Sequence, residues 1–267
     1  MLISCTFDLM SFLDEKFSLK NKVAVVLGGT SGIGQAIARG FARAGATTIA
    51  SSRDGERVGA QAAELESLGS KTLRIPSDVQ DRASLQNLCD EVVLAFGQVD
   101  VLMVTSGTLK KTPTVEVPEE DWNRIIDINL NGTFRANQIF GRQMIKQEGG
   151  AIINTCSMTS FVSFNEVASY AASKAGVLLL TRSLACEWAK HKVRVNAIAP
   201  GVFRTPLNSK VLDLPERSAA IGARTPMGRV GQVEELVGAA IFLASDAASF
   251  VTGETIAIDG GFLAKGI

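Results

Sequence analysis

The chain has 267 residues, of which 46% are hydrophobic, and a formal net charge of zero at pH 7. This composition fits one large α/β domain with a sizeable core, and the balanced charge argues against nucleic acid as a general partner. The cysteines lack metal-ligand spacing, so we expect no metal site and reduced thiols in a cytoplasmic protein; they are Cys5, Cys89, Cys156 and Cys186.

Residues 1–20 mix apolar and acidic side chains and lack the basic start of a signal peptide. No apolar run reaches the roughly 20 residues that span a bilayer, so we expect no membrane association. We interpret this stretch as an extension of a single domain at residues 21–267. It either packs an apolar stripe on the domain or on a sister subunit, or is disordered; the stripe would be Leu9, Phe12, Leu13 and Phe17.

A glycine-rich turn follows the first apolar run, residues 22–28, and precedes a helical pattern at residues 35–44. Such a turn lets backbone N–H groups approach a diphosphate at the start of a helix. A plain tight turn is the alternative. The pattern therefore favours a dinucleotide site formed by Gly28, Thr30, Ser31, Gly32, Ile33 and Gly34.

The second apolar run, residues 47–50, leads to Ser52 and Arg53, where an NAD-binding chain usually carries an acidic residue. A hydroxyl and a guanidinium suit a 2′-phosphate, although Arg53 could instead be a solvated residue at a helix start. These residues favour NADP(H), with NAD(H) as the alternative. We expect Asp54 to begin the next helix and face solvent rather than pair with Arg53.

The alternation of strands and helices continues along the chain. Apolar runs predict strands at residues 72–75, 99–105, 151–156, 193–199 and 255–258, and periodicity predicts helices at residues 56–68, 83–96, 119–146, 168–190 and 234–244. With the first two units this makes seven strands and six helices. The order predicts one doubly wound, mostly parallel sheet with helices on both faces. The long excursion at residues 202–230 is expected to be a substrate lid.

Tyr170 and Lys174 lie four residues apart on a predicted helix, and Ser157 ends the strand before it. Residues at this spacing share one helix face. An ammonium beside a phenol lowers the phenol pKa, which would make Tyr170 a general acid/base near neutral pH. The alternative is a surface tyrosine and lysine on an ordinary helix.

These motifs together resemble those of the short-chain dehydrogenase/reductase family over nearly the whole chain. The matching positions are Gly28-x-x-x-Gly32-x-Gly34, Asp78, Asn129-Leu-Asn-Gly132, the Ser157, Tyr170 and Lys174 trio, and Pro200-Gly201 with Thr205 beyond. The resemblance implies an NAD(P)-dependent oxidoreductase that interconverts a secondary alcohol and a ketone by hydride transfer. It also implies a homotetramer, in which the helices at residues 119–146 and 168–190 pair across two-fold axes.

By resemblance, Tyr170 exchanges a proton with the substrate oxygen, which Ser157 also binds. Lys174 lowers the Tyr170 pKa and holds the nicotinamide ribose, while Asn129 anchors a water. The remaining cofactor contacts implied by the resemblance are Asp78 and Val79 at the adenine, Ser106 and Gly107 after the fourth strand, and Pro200, Gly201, Val202 and Thr205 at the nicotinamide.

Two positions depart from the family pattern. Leu27 replaces a threonine, and Val104-Thr105-Ser106-Gly107 stands where the family has Asn-Asn-Ala-Gly. The missing amides are expected to weaken a hydrogen-bond bridge in the central sheet, with Thr105 and Ser106 as shorter substitutes. A non-catalytic, cofactor-sensing protein is therefore kept as an alternative.

The substrate class is inferred from two features. The ending that starts at Asp259 resembles that of gluconate-type dehydrogenases. Residues 202–229 also carry an excess of basic side chains, which suits an anionic substrate: Arg204, Lys210, Arg217, Arg224 and Arg229 against Asp213 and Glu216. A sugar acid or polyol is favoured, and a 3-oxoacyl-(acyl-carrier-protein) reductase is the alternative.

Overall fold

The computed structural model describes residues 12–206 and 208–266. Its centre is a six-stranded, all-parallel sheet in the order β2-β1-β3-β4-β5-β6. The strands are β1 (Val23–Leu27), β2 (Thr47–Ser51), β3 (Val101–Val104), β4 (Gly150–Thr155), β5 (Val193–Pro200) and β6 (Thr255–Ile258). The order reverses between β1 and β3, which opens a crevice at the carboxyl ends of these strands.

Helices cover both faces of the sheet. They are α1 (Gly32–Arg43), α2 (Gly55–Ser67), α3 (Arg82–Phe96), α4 (Glu119–Ile126), α5 (Gly132–Lys146), α6 (Ala168–Trp188), α7 (Ser209–Leu212), α8 (Pro215–Arg224) and α9 (Val237–Ala244). Alternate residues of each strand point to opposite faces. Val25, Leu102 and Ile152 therefore join the core formed with α3, α5 and α6. Val26, Met103 and Ile153 join the core formed with α1, α2 and α9.

The sheet has six strands instead of the seven predicted, because residues 72–75 do not form one. Backbone hydrogen bonds join this stretch to the β2 region only at its ends, from the Thr48 amide to the Lys71 carbonyl (3.1 Å) and from the Ser77 amide to the Ser52 carbonyl (2.9 Å). Between them the Ser51 hydroxyl donates to the Ile75 carbonyl at 2.6 Å. A side-chain hydroxyl thus replaces the backbone pairing that a strand requires.

The helix predicted at residues 119–146 is also interrupted. A π-helical turn, Asp127–Asn131, separates α4 from α5. The next residue, Gly132, packs so closely on Val79 that an added Cβ atom would lie 2.9 Å from its Cγ2. Turns of this kind frequently occur at functional sites, and this one carries Asn129.

The described part of the N-terminal extension packs on the domain. Residues 12–17 are helical, and the Phe17 ring centroid lies 6.4 Å from that of Phe242. Leu19 is fully buried, while Phe12 and Leu13 remain exposed. Leu9 and Cys5 lie outside the described residues.

No helix in the described ranges has the length and apolarity required to cross a membrane. The boundary at residue 20 and the lid role of residues 202–230 stay predictions.

Candidate active site

The glycine-rich turn connects β1 to α1 at the carboxyl edge of the sheet. Gly28 has a φ of 78°, in the left-handed region that favours glycine. A Cβ atom at Gly34 would lie 2.2 Å from the Gly28 carbonyl oxygen and 2.4 Å from the Thr105 hydroxyl oxygen. Ser31 precedes α1 without a side-chain cap hydrogen bond. The uncapped helix terminus and the glycine-rich turn therefore form a cradle suited to a phosphate.

A cavity of about 850 Å³ extends from this cradle. Thirteen of the predicted cofactor residues line it: Gly28, Thr30, Ser31, Gly32, Ile33, Gly34, Ser52, Arg53, Asp78, Val79, Ser106, Gly107 and Thr205. Pro200, Tyr170 and Lys174 are not among its lining residues, and Gly201 and Val202 line a separate cavity of about 390 Å³. The volume of the larger cavity is in the range of small-molecule and cofactor sites.

Nine further lining residues were not among the cofactor ligands predicted from sequence. They are Asp54, Arg57, Ser77, Gln80, Thr105, Thr108, Arg124, Ile128 and Pro206. Most directly neighbour a predicted position in the chain, so extending each motif by one or two residues would have found them. Arg57 and Arg124 come from α2 and α4 and carried no local sequence signal.

Ser52 and Arg53 follow β2 and line the cavity. The Thr30 hydroxyl donates to the Ser52 hydroxyl oxygen at 2.9 Å. Asp54 begins α2 as expected: its side chain accepts from the Arg57 backbone amide at 3.1 Å and pairs with the Arg57 guanidinium, also at 3.1 Å. Asp54 has therefore turned away from Arg53. Within the described ranges, Arg53 makes no ion pair and is exposed at the cavity.

Thr105 bridges the central strands in place of the missing amide. Its hydroxyl donates to the Leu27 carbonyl at 2.7 Å and its backbone amide to the same oxygen at 2.9 Å. The Thr155 hydroxyl donates to the Val104 carbonyl at 2.7 Å. Two threonine hydroxyls thus link the carboxyl ends of β1, β3 and β4, and the departure from the family pattern is compensated within the sheet.

Ser157 follows β4, and Tyr170 and Lys174 lie in the first two turns of α6. The buried Lys174 ammonium donates to the Thr155 carbonyl at 2.7 Å. Gly107 connects this group to the cavity, because a Cβ atom there would lie 3.7 Å from the Lys174 nitrogen and 3.4 Å from the Asn129 amide oxygen. The fold therefore places Lys174 and Asn129 directly behind Gly107, which lines the cavity.

The pKa of Tyr170 differs from the expectation. Burial raises this pKa above the ordinary tyrosine value, and a hydrogen bond with Ser157 opposes the effect only in part. Burial also lowers the pKa of Lys174 to about 8. The predicted lowering of the Tyr170 pKa by Lys174 is wrong for the protein alone. The reason is that burial of the phenol dominates its pKa, while the lysine nitrogen donates to Thr155 and lies 5.8 Å from the centroid of the tyrosine ring.

Asn129 joins the cavity loop to α6. Its side-chain amide donates to the Thr108 carbonyl (2.9 Å) and to the Ser173 hydroxyl oxygen (3.1 Å), and its oxygen accepts from the Thr108 amide at 2.8 Å. Both amide hydrogens are therefore used by the protein. A water in the role that the resemblance implies would have to bind an oxygen of Asn129, not the NH₂ group.

Two of the five basic residues that suggested an anionic substrate form ion pairs. Arg204 pairs with Asp213, and Arg229 forms a forked pair with Glu235. Arg224 lies over the Phe262 ring, with its guanidinium carbon 5.2 Å from the centroid. The side chains of Lys210 and Arg217 are outside the described part. The charge argument for an anionic substrate is therefore not carried by Arg204 or Arg229.

The chain is similar to several proteins of known activity along nearly its whole length. A family model described as enoyl-(acyl carrier protein) reductase matches residues 28–263. The 3-oxoacyl-(acyl-carrier-protein) reductase FabG of Thermotoga maritima is 39% identical over 92% of this chain and 99% of its own. The 2-dehydro-3-deoxy-D-gluconate 5-dehydrogenase of Pseudoalteromonas atlantica is 40% identical over 94% and 99%.

Among solved structures, a gluconate 5-dehydrogenase from Burkholderia cenocepacia in complex with NADP and tartrate superposes with a TM-score of 0.92. It is 36% identical, and the match covers 95% of this chain and 99% of the other. The parallel sheet, the glycine turn and this likeness define a dinucleotide-binding oxidoreductase. The chain belongs to the short-chain dehydrogenase/reductase family. Its cofactor is accordingly a nicotinamide dinucleotide.

Proposed function

We propose that the protein is an NADP(H)-dependent dehydrogenase that interconverts a secondary alcohol and a ketone on a sugar acid or polyol. The observation that carries the proposal is the cavity, which is lined by the glycine turn and by Gly107, the neighbour of Lys174 and Asn129. Its dimensions and its phosphate cradle fit a dinucleotide, so the cofactor residues predicted from sequence are proposed as its ligands. Gly201 and Val202, which line the smaller cavity, are proposed to meet the nicotinamide only on the family resemblance.

The proposed catalytic residues are those that the family resemblance assigns. Tyr170 exchanges a proton with the substrate oxygen, and Ser157 donates a hydrogen bond to that oxygen. General acid/base assistance of this kind typically contributes about 10²–10⁴-fold. When bound, the nicotinamide supplies or accepts the hydride at the substrate carbon. Lys174 is held by the Thr155 carbonyl and accepts or returns a proton near pH 8, given its pKa of about 8.

The preference for NADP(H) rests on Arg53 and Ser52. A 2′-phosphate carries close to two negative charges, and Arg53 has a guanidinium that no carboxylate in the described residues engages. Neither Ser51 nor Ser52 offers a carboxylate for an unphosphorylated ribose. The NADP bound to the Burkholderia relative supports the same choice.

The substrate class rests on the relatives. Two of those compared act by name on gluconate or a deoxygluconate, and the structure from Burkholderia holds tartrate, a hydroxy acid. A 3-oxoacyl-(acyl-carrier-protein) reductase is the second candidate. The Thermotoga relative with this name is 39% identical to the chain, and the Pseudoalteromonas relative is 40% identical. A turnover screen with the oxidised and the reduced forms of both cofactors, NADP(H) and NAD(H), separates them. Oxidation of a sugar acid or polyol supports the proposal, whereas reduction of 3-oxoacyl thioesters alone would replace it.

We also propose a cytoplasmic homotetramer. Phe134 on α5 and Leu179 on α6 are 41% and 56% exposed, which leaves apolar side chains on the two helices that the resemblance assigns to subunit contacts. An exposed apolar surface of this kind often marks an interface.

A further inference from the structure

Arg57 and Asp54 line the same cavity as Ser52 and Arg53. Arg57 lies one turn beyond Arg53, inside the first turn of α2, and Asp54 is the N-cap of that helix. One Asp54 oxygen accepts from the Arg57 backbone amide and the other pairs with the Arg57 side chain, both at 3.1 Å. A single carboxylate therefore caps the helix and neutralises a cation at the cofactor cavity.

We propose that Arg57 is a second ligand of the cofactor's 2′-phosphate and that Asp54 is the internal counter-ion which this phosphate displaces. The inference rests on the proposed preference for NADP(H). Arg53, Arg57 and the Ser52 hydroxyl share the phosphate charge, and forked guanidinium donors match phosphate oxygens. The N-terminus of α2 adds a favourable field at the same place.

The exchange of partners is easy because the existing ion pair is exposed. The Arg57 and Asp54 side chains are 65% and 48% accessible, and pairs of this kind contribute little to stability. After the exchange, Asp54 stays in place as the helix cap, where its negative charge opposes the phosphate. Asp54 therefore limits the discrimination between NADPH and NADH, and Arg57 raises it.

The test measures dissociation constants for NADPH and NADH by fluorescence titration at fixed salt. The same titrations with 2′,5′-ADP and 5′-ADP probe the adenosine end alone. Arg57→Ala is expected to weaken NADPH and 2′,5′-ADP by about ten-fold, the lower range for a hydrogen bond to a charged group, and to leave NADH and 5′-ADP within about two-fold. Asp54→Asn is expected to tighten NADPH, while the helix persists because asparagine caps as well as aspartate.

Arg43→Ala is the matched control, since Arg43 lies in the last turn of α1 and does not line the cavity. The inference would be overturned if Arg57→Ala and Arg43→Ala showed the same ratio of NADPH to NADH affinity. Weaker NADH binding in Asp54→Asn would do the same, because Asp54 would then hold the ribose hydroxyls. If Arg53→Ala abolishes the preference while Arg57→Ala leaves it intact, only this inference fails. Equal wild-type affinities would instead remove the proposed NADP(H) preference itself.

Discussion

The Lys174 nitrogen lies 5.8 Å from the centroid of the Tyr170 ring and donates its hydrogen bond to the Thr155 carbonyl at 2.7 Å. In the protein alone the lysine is therefore a buried cation held by the end of β4, not a direct partner of the phenol oxygen. Burial raises the pKa of Tyr170 and lowers that of Lys174 to about 8. Both shifts favour neutral forms, as expected for desolvated groups.

Tyr170 is the single tyrosine of the chain, so its ionisation can be followed directly by tyrosinate absorbance. We expect a midpoint above the ordinary value of about 10 in the protein without cofactor. Lys174→Met is expected to leave this midpoint nearly unchanged, because the lysine is already neutral above pH 8. A rise of about one unit or more in the variant would mean that a charged Lys174 acts on the phenol.

Lys174 also predicts a pH dependence of stability. Its folded-state pKa of about 8 lies below the ordinary lysine value of 10.5, so the unfolded chain binds the extra proton between these values. The free energy of unfolding should therefore gain a contribution on the order of 1–3 kcal/mol as pH rises through this window. Denaturant unfolding of Lys174→Met should lack the gain, whereas the exposed Lys190→Met should keep it. Parallel wild-type and Lys174→Met profiles would contradict the burial of a charged lysine.

Tyr170→Phe should abolish turnover while cofactor affinity changes little. The phenyl ring fills the same space but has no proton to exchange, so kcat is expected to fall at least about 100-fold. Steady-state kinetics on the substrate found in the screen, with NADPH titration of the same variant, measure both effects. Retention of more than a few per cent of wild-type kcat would assign the acid/base to another residue.

Gly34→Ala should abolish dinucleotide binding, because the added methyl group meets the Gly28 carbonyl at 2.2 Å and must deform the turn. Gly59→Ala is the matched control: this glycine lies inside α2 with open space at its Cβ position. There alanine is expected to stabilise the helix by roughly 0.5–1 kcal/mol. NADPH titration and thermal unfolding of the two variants should separate the effects. Normal binding by Gly34→Ala would show that the turn does not contact the cofactor.

Arg53→Ala should lower the affinity for NADPH by roughly ten- to hundred-fold, since hydrogen bonds to charged groups contribute about 1.5–3 kcal/mol. NADH binding should change little, because that cofactor has no 2′-phosphate. Repeating the titration at high salt should shrink the difference, as exposed charges are screened. An unchanged ratio of affinities in the variant would show that Arg53 does not bind the 2′-phosphate.

The sequence determined the class of fold and the order of its parts. Strands of a buried parallel sheet are nearly continuous apolar runs and their connecting helices are periodic, so all six strands, β1 to β6, could be predicted from local pattern. The glycine-rich turn could also be predicted from the sequence, because only a glycine fits beside Gly28 and Thr105. The capping position of Asp54 also followed from local rules, since an aspartate before a helix accepts the first free amides.

Only the tertiary structure decided the rest. Residues 72–75 have a strand-like composition but find backbone partners only at their ends, and pairing depends on a neighbour distant in sequence. The Tyr170 pKa followed burial and not helical spacing, because the packing around α6 removes water from the phenol. Arg57 reached the cofactor cavity because α2 packs at the edge of the sheet beside β2, a placement that no local spacing encodes. Local pattern thus specifies elements, whereas desolvation and long-range contacts specify the chemistry of the site.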